Sequence, residues 1–369
     1  MKLSEVPTPA FVLDLGRARR NCDVMRAKAE RSGVAFRPHV KTHKTVEGAL
    51  LQHGGRPGPV TVSTLAEAEL LAGAGFDDMT WALPIDPGKL SRAADLAARV
   101  RLHLLVDHPD ALSAMEEFAR SHGIRFRAFL KVDSGARRSG VDPEEEASVL
   151  LARRILASSE VELSGLLTHA GHSYHCRNAE QILRVAEQEA AVLTRFRERV
   201  GARQLVRSVG STPTASIPDV LPDTDEVRPG NYVFFDAFQA TIGSCTLDHC
   251  AASVLVSVLS HYPGQNKIVV DGGALALSKD AGPTHVDPDF GFGIVTDLAG
   301  ARLPMRVRSI SQEHGQIVGE APIELHRHPI GSKLRIVPNH SCLTAAQFER
   351  FTVVEGDRVV DEWRPARGW

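Results

Sequence analysis

Through its first two-thirds the chain alternates short apolar runs with longer stretches whose apolar positions recur at helical spacing. The run Pro9 to Leu15 reads as a strand, and Arg17 to Glu30 as a helix with apolar faces. Val60 to Val62 precedes a helix over Leu65 to Ala74. Met79 to Leu83 precedes one beginning near Pro87, and Leu102 to Val106 one over Ala111 to Ser121. Arg127 to Val132 leads to a helix over Pro143 to Ser158. Val161 to Leu167 leads to one over Glu180 to Val200, and Leu205 to Val209 follows. Strand–helix units of roughly thirty residues build parallel sheets, and about eight of them predict a (β/α)8 barrel of the TIM type. An open doubly wound sheet is the structural alternative. It would bring a glycine-rich dinucleotide loop after its first strand, and none is present.

After about Phe238 the pattern changes. Val254 to Leu259, Lys267 to Asp271, Arg302 to Ser309, Gln316 to Gly319, Lys333 to Pro338 and Arg350 to Val354 are short strand-like runs separated by Gly and Pro turns. No long helical pattern intervenes, which predicts an all-β domain. The expected division is a barrel over 1–240 and a β domain over 241–369.

Composition narrows the class. A hydrophobic fraction of 43% is that of a soluble globular protein, and a net charge of −2 gives no reason to expect nucleic acid or an anionic membrane surface as partner. No apolar run approaches the ~18 residues a membrane span needs, and the first residues lack the apolar core of a signal peptide. Five cysteines, an odd number without framework spacing, favour a reducing compartment. The expectation is a cytoplasmic protein of enzyme size.

Four stretches carry candidate chemistry. The first is Arg37-Pro38-His39-Val40-Lys41-Thr42-His43-Lys44-Thr45. With only nine lysines among 43 basic residues, arginine is the default surface cation here, so Lys41 at an expected strand end stands out. Residues at the C-terminal ends of barrel strands face the active site. The second is Lys131-Val132-Asp133-Ser134-Gly135-Ala136-Arg137-Arg138-Ser139-Gly140, a basic loop after a strand. In the third group, Thr168-His169-Ala170-Gly171 closes a strand and runs into His172, Tyr174 and His175. Ser208-Val209-Gly210-Ser211-Thr212-Pro213-Thr214 follows the seventh or eighth strand-like run, where barrels bind phosphate with backbone N–H groups and small hydroxyls. The fourth is Asn339-His340-Ser341-Cys342. In a strand or extended loop, residues i and i+2 point the same way, so His340 and Cys342 can share one ion. Imidazole plus thiolate favours Zn²⁺, and two ligands leave the open positions a catalytic metal needs.

Together these stretches resemble the fold-type III pyridoxal-phosphate (PLP) enzymes, in the branch holding D-threonine aldolases and D-serine dehydratases. In that family the first lysine of PHVKTHKT forms the Schiff base with PLP, which implies Lys41 as the catalytic and cofactor-bearing residue. An amine attacks an aldehyde only when neutral, and desolvation favours that form. The resemblance further implies Arg138 at the phenolic oxygen of PLP, His169 against its ring and Tyr174 as a neighbour of ring or substrate. It places the phosphate on Gly210, Ser211, Thr212, Gly230 and Asn231, and Arg228 toward the pyridine nitrogen. It implies His340 and Cys342 as ligands of Zn²⁺ or another divalent metal. Gln312-Glu313-His314-Gly315 also matches a family segment, read as support around that metal. The likeness covers essentially the whole chain, and the cysteine of the HxC favours the dehydratases, since aldolases tend to carry aspartate there.

The implied fold is an alanine-racemase-like barrel with a C-terminal β domain, the N-terminal strand often joining the latter. The implied assembly is a homodimer. The implied activity is dehydration of a D-β-hydroxy amino acid, with D-serine giving pyruvate and ammonia as the leading case. D-threo-3-hydroxyaspartate would give oxaloacetate by the same steps. Retro-aldol cleavage of D-threonine-like substrates is the alternative. Racemisation needs no metal and requires a second base, and a non-catalytic PLP carrier would not need the β domain.

Overall fold

The computed structural model describes residues 1–369. Two compact units are present, one formed by Asp23–Gly230 with Ala366–Trp369, the other by Met1–Cys22 with Asn231–Pro365. The chain thus divides at Gly230 rather than at residue 240. Residues 1–22 belong with the β unit because Ala10–Asp14 pairs antiparallel with Ala252–Tyr262 and parallel with Phe351–Glu355.

The first unit is the expected barrel. Its eight strands lie in the order 35–36, 226–227, 206–209, 161–167, 126–131, 101–106, 78–84 and 60–62. Every pairing among them is parallel. An isolated parallel bridge between His39 and Thr61 joins the two edges of this sheet. Leu105, Phe129 and Leu167 pack together between strands, with Ala82 and Val206 against them. Three of the helices that alternate with the strands start at a side chain that supplies a capping oxygen. Thr45 accepts from the Gly48 N–H at 3.1 Å, Thr64 from Glu67 at 3.1 Å and Asn178 from Gln181 at 3.0 Å.

A line of buried polar groups also threads the strands. Arg37 donates to Asp78 at 2.5 Å and to Glu226 at 2.7 Å. The Ser208 hydroxyl donates to the other Glu226 oxygen at 2.6 Å, and Arg228 Nε donates to Ser208 at 2.7 Å. Buried charges persist only when paired in this way.

The second unit is a nine-stranded sheet in the order 267–270, 315–319, 302–310, 294–296, 333–337, 252–262, 10–14, 351–355 and 358–363. Lys267–Val270 also pairs with Ala252–Tyr262, closing the first six strands into an antiparallel barrel. Val254, Val256, Val258, Ile268, Val295, Val307, Ile317 and Ile336 fill it.

Candidate active site

The Arg37–Thr45 stretch leaves the first barrel strand and forms a tight turn over Val40–Thr42. The His39 imidazole caps that turn, its Nδ1 accepting the Lys41 backbone N–H at 3.3 Å. The KTHK unit then separates into one residue that faces a cleft and two that hold the turn. His43 is fully buried, with Thr45 on one ring nitrogen and Gln52 on the other. Lys44 forms an ion pair with the buried Glu67 at 2.9 Å. Glu67 in turn accepts from the backbone and the hydroxyl of Ser63, at 2.8 and 2.5 Å. Lys41 is the lysine of the pair that lines a cleft.

That cleft, about 470 Å³, is lined by His39, Lys41, Ser63, Lys131, Arg138, Ser139, His169 and Arg228, with Ala82, Leu83, Pro84 and Leu167 as its apolar wall. The volume suits a small cofactor or substrate. Its charged lining is entirely cationic. Burial, then the neighbouring Lys41 and arginines, pushes both His39 and His169 well below the ordinary imidazole value, so both rings are neutral near pH 7. His169 Nδ1 lies 2.6 Å from the Gly210 carbonyl, which can only accept. Nδ1 therefore carries the proton and Nε2 presents a lone pair. Burial, with Arg138 and Arg228 nearby, pushes Lys131 down to about 8. Arg228 is likewise pushed down by burial, to about 10. It bonds Ser208 and the Thr168 carbonyl.

Backbone rather than side chains shapes the loop after the seventh strand. Gly210 has φ +153°, and a Cβ there would fall 2.9 Å from the Arg228 nitrogen. At Gly230 a Cβ would fall 2.8 Å from the His39 carbonyl. Ser211 and Thr212 are buried beside Gly210. This cradle and the cationic cleft suit a phosphorylated aldehyde cofactor, with Lys41 as the amine. Tyr174 lies in the turn Gly171–His175 and is not among the cleft-lining residues.

In the β unit, His340 is extended and caps the short helix Ser341–Ala345, so Cys342 sits in a helical first turn. Strand alternation does not bring the pair together; the start of a helix does. Burial alone would lower the His340 pKa, but hydrogen bonds to Asp280 and Cys342 outweigh it and raise the value well above the ordinary one. The Asp280 carboxylate lies 3.2 Å from His340 Nδ1. A carboxylate on one ring nitrogen is the usual support for a metal-binding histidine. The thiol and imidazole are a donor set that suits Zn²⁺. No cluster of three or more such side chains able to hold a metal is assembled by the chain. Asn231 donates from its side-chain amide to Asp236 at 2.9 Å, Ser341 at 2.8 Å and Cys342 Sγ at 3.7 Å. That commits the side chain to the Cys342 loop and leaves only the backbone N–H for the phosphate role expected of Asn231. Gln312, Glu313 and His314 are exposed on the turn between Arg302–Ile310 and Gly315–Gly319, and the Gln312 amide donates to Glu313 instead of to the His340 loop.

Comparison with known proteins identifies the family. The family described as "Alanine racemase, N-terminal domain" matches residues 13–237, and "Putative serine dehydratase domain" matches residues 251–354. The chain is 39% identical to D-threo-3-hydroxyaspartate dehydratase of Delftia sp., over 100% of this chain and 99% of the relative. It is 33% identical to D-serine dehydratase of Dictyostelium discoideum, over 100% and 98%. A solved structure of the Delftia enzyme superposes with a TM-score of 0.95 at 38% identity, covering 100% of both chains. A cysteine-to-alanine variant of D-threo-3-hydroxyaspartate dehydratase, solved in the metal-free form, also superposes at 0.95, with 37% identity and 100% of both chains covered. With both domains matched along nearly its whole length, the chain belongs to the fold-type III pyridoxal-phosphate enzymes, in their serine dehydratase branch of carbon–oxygen lyases.

Proposed function

We propose that this chain dehydrates D-β-hydroxy amino acids, with D-threo-3-hydroxyaspartate preferred over D-serine. The observation that carries the preference is the charged lining of the cleft: Lys41, Lys131, Arg138 and Arg228, with no carboxylate among them. Lys41 is assigned to the cofactor aldehyde and Arg138 to its phenolic oxygen. Arg228, bonded to Ser208 and the Thr168 carbonyl, is assigned to the pyridine nitrogen, and Lys131 then remains as the counter-charge for the carboxylate that a dicarboxylic substrate adds. The name of the Delftia relative supports the same choice.

PLP, when bound, supplies the electron sink that stabilises negative charge at the substrate Cα. The chain supplies the rest. The Lys41 amine accepts the α-proton from its own face of the site. Neutral His39 and His169 bound the cleft without adding charge. The Gly210–Thr212 loop and Gly230 hold the phosphate. His340 and Cys342 would hold Zn²⁺, which would supply Lewis-acid chemistry suited to a hydroxyl leaving group. Water lost from Cβ is regained in hydrolysis of the released enamine. The products are oxaloacetate and ammonia from D-threo-3-hydroxyaspartate, or pyruvate and ammonia from D-serine.

A product assay on the full chain loaded with PLP and Zn²⁺ tests this, offering D-threo-3-hydroxyaspartate, D-serine and D-threonine separately. The expected outcome is keto acid and ammonia in equal amounts, fastest from the dicarboxylic substrate. Cys342→Ala should retain PLP and lose this reaction. Glycine with an aldehyde would instead establish retro-aldol cleavage, and a preference for D-serine would remove the role assigned to Lys131.

A further inference from the structure

Behind the Gly210 loop lies a buried carboxyl for which the reaction above has no use. Glu189 sits on the Ala179–Val200 helix and is 2% exposed. Its Oε1 accepts from the Thr214 hydroxyl at 2.6 Å, and the backbone of Gly210 and of Ala170 also faces the carboxyl. Thr214 Oγ1 lies 3.0 Å from Ser211 Oγ, which lies 2.9 Å from Ser173 Oγ. Ser173, Ser211 and Thr214 are all buried. A carboxyl group thus terminates a line of three hydroxyls, one of which belongs to the loop assigned to the phosphate.

Each hydroxyl has a single proton to donate, so the carboxyl end sets the direction of the line. An ionised Glu189 can only accept. Thr214 must then donate to it, Ser211 satisfies Thr214, and no Ser211 proton remains for an anion at the loop. A protonated Glu189 can donate to Thr214, which frees the Ser211 proton. A neutral carboxyl also keeps negative charge from the back of a site that binds a dianion. We propose that Glu189 is a positioning residue for the cofactor phosphate: protonated, it turns the Ser211 hydroxyl toward the phosphate, and it takes up a proton when the phosphate binds. This rests on the reading of the chain as a PLP enzyme with its phosphate at Gly210–Thr212.

The surroundings are consistent with a group that exchanges its proton near neutrality. Burial raises Glu189 to about 7, against the lowering effects of Thr214, Arg228 and the backbone at Gly210 and Ala170. Glu226 lies beside the same arginine. His169, on the Gly210 carbonyl, is kept neutral by burial. Lys28 donates to the Ala215 and Ser216 carbonyls of the short helix after the loop. His172 and His175 share a turn with Ser173, and His172 is influenced by Asp133.

The test is equilibrium dialysis of the full chain with PLP and, separately, with pyridoxal, between pH 7 and 9. The ratio of the two dissociation constants cancels titration of the lysine and of the aldehyde chemistry, leaving the phosphate contribution. In the wild type the advantage of PLP over pyridoxal should shrink by up to roughly tenfold per pH unit above pH 7. In Glu189→Gln, whose amide donates at any pH, PLP should still bind and the ratio should stay flat. Thr214→Val, which cuts the line while leaving the carboxyl, frees the Ser211 proton at every pH, so it should keep the PLP advantage of pH 7 and flatten its pH dependence. A wild-type ratio independent of pH, or an unchanged slope in either variant, would overturn the role of Glu189 alone. Equal affinity of the wild type for PLP and pyridoxal at every pH would overturn the phosphate loop as well.

Discussion

At the residue scale the site turns on two lysines three positions apart with different environments. Lys41 lines the cleft, whereas Lys44 is held by Glu67. The prediction is a sharp asymmetry between their variants. Lys41→Ala should abolish turnover and the near-visible absorbance of lysine-linked PLP, while Lys44→Ala should retain both and lose stability. The measurement is an absorbance spectrum with an activity assay, and full activity in Lys41→Ala would remove the assignment. Lys41 was legible in the sequence because its chemistry is tied to one residue type in a lysine-poor chain. Glu189 was not. A glutamate in an amphipathic helix reads as a surface residue, and only the packing of Thr214 and Ser211 against it reveals the buried line. Asp280 was equally hidden, because the carboxylate that meets His340 is remote from it in sequence.

At the element scale, the strands from Val60 to Val209 were foretold because apolar runs alternate there with stretches of helical spacing, which marks even the three-residue Val60–Val62 as part of a strand–helix unit. The two closing strands, Ala35–Phe36 and Glu226–Val227, are two residues each and show no period. Ala10–Asp14 reads as a strand but carries no mark of which sheet it joins, a matter settled by its pairing with Ala252–Tyr262. Ile294–Thr296 and Arg358–Trp363 escaped notice, the first for shortness and the second because most of its residues are exposed. The turn that carries Lys41 depends on the Leu65–Gly73 helix through Glu67, which is 1% exposed in an ion pair with Lys44. Glu67→Ala removes that partner and the acceptor for Ser63 together. A loss of about 2–4 kcal/mol in unfolding free energy is expected, somewhat below a fully buried pair because Lys44 is partly exposed. Cofactor affinity should fall with it as the turn loosens. Denaturant unfolding of the variant checks the first, and PLP dialysis the second. A loss under 1 kcal/mol would mean that the turn is held by His43 alone.

At the scale of the whole molecule, several buried groups tie stability to pH with opposing signs. His43 is pushed down to about 4 by burial, and His39 and His169 lie well below the ordinary value. Between pH 4.5 and 6.5 the His43 ring is neutral when folded and takes up a proton when unfolded, and His39 and His169 act in the same direction, so their contribution to stability falls as the solution is acidified. Glu189 runs the other way. Its value is raised from 4.5 to about 7, so in the same window it is protonated when folded and ionised when unfolded. Its contribution is fully present below pH 4.5 and is lost as pH rises toward 7. The histidines outnumber it, and the wild type should lose stability on acidification, with Glu189 cancelling one proton of that dependence. Glu189→Gln removes the cancelling term. Its unfolding free energy should therefore fall more steeply with acid, by up to about 1.4 kcal/mol per pH unit more than the wild type. Urea unfolding of both proteins at several pH values between 5 and 6.5 measures the two slopes. Equal slopes would mean that Glu189 is ionised in the folded chain throughout this range, and the hydroxyl line would then run toward it at every pH.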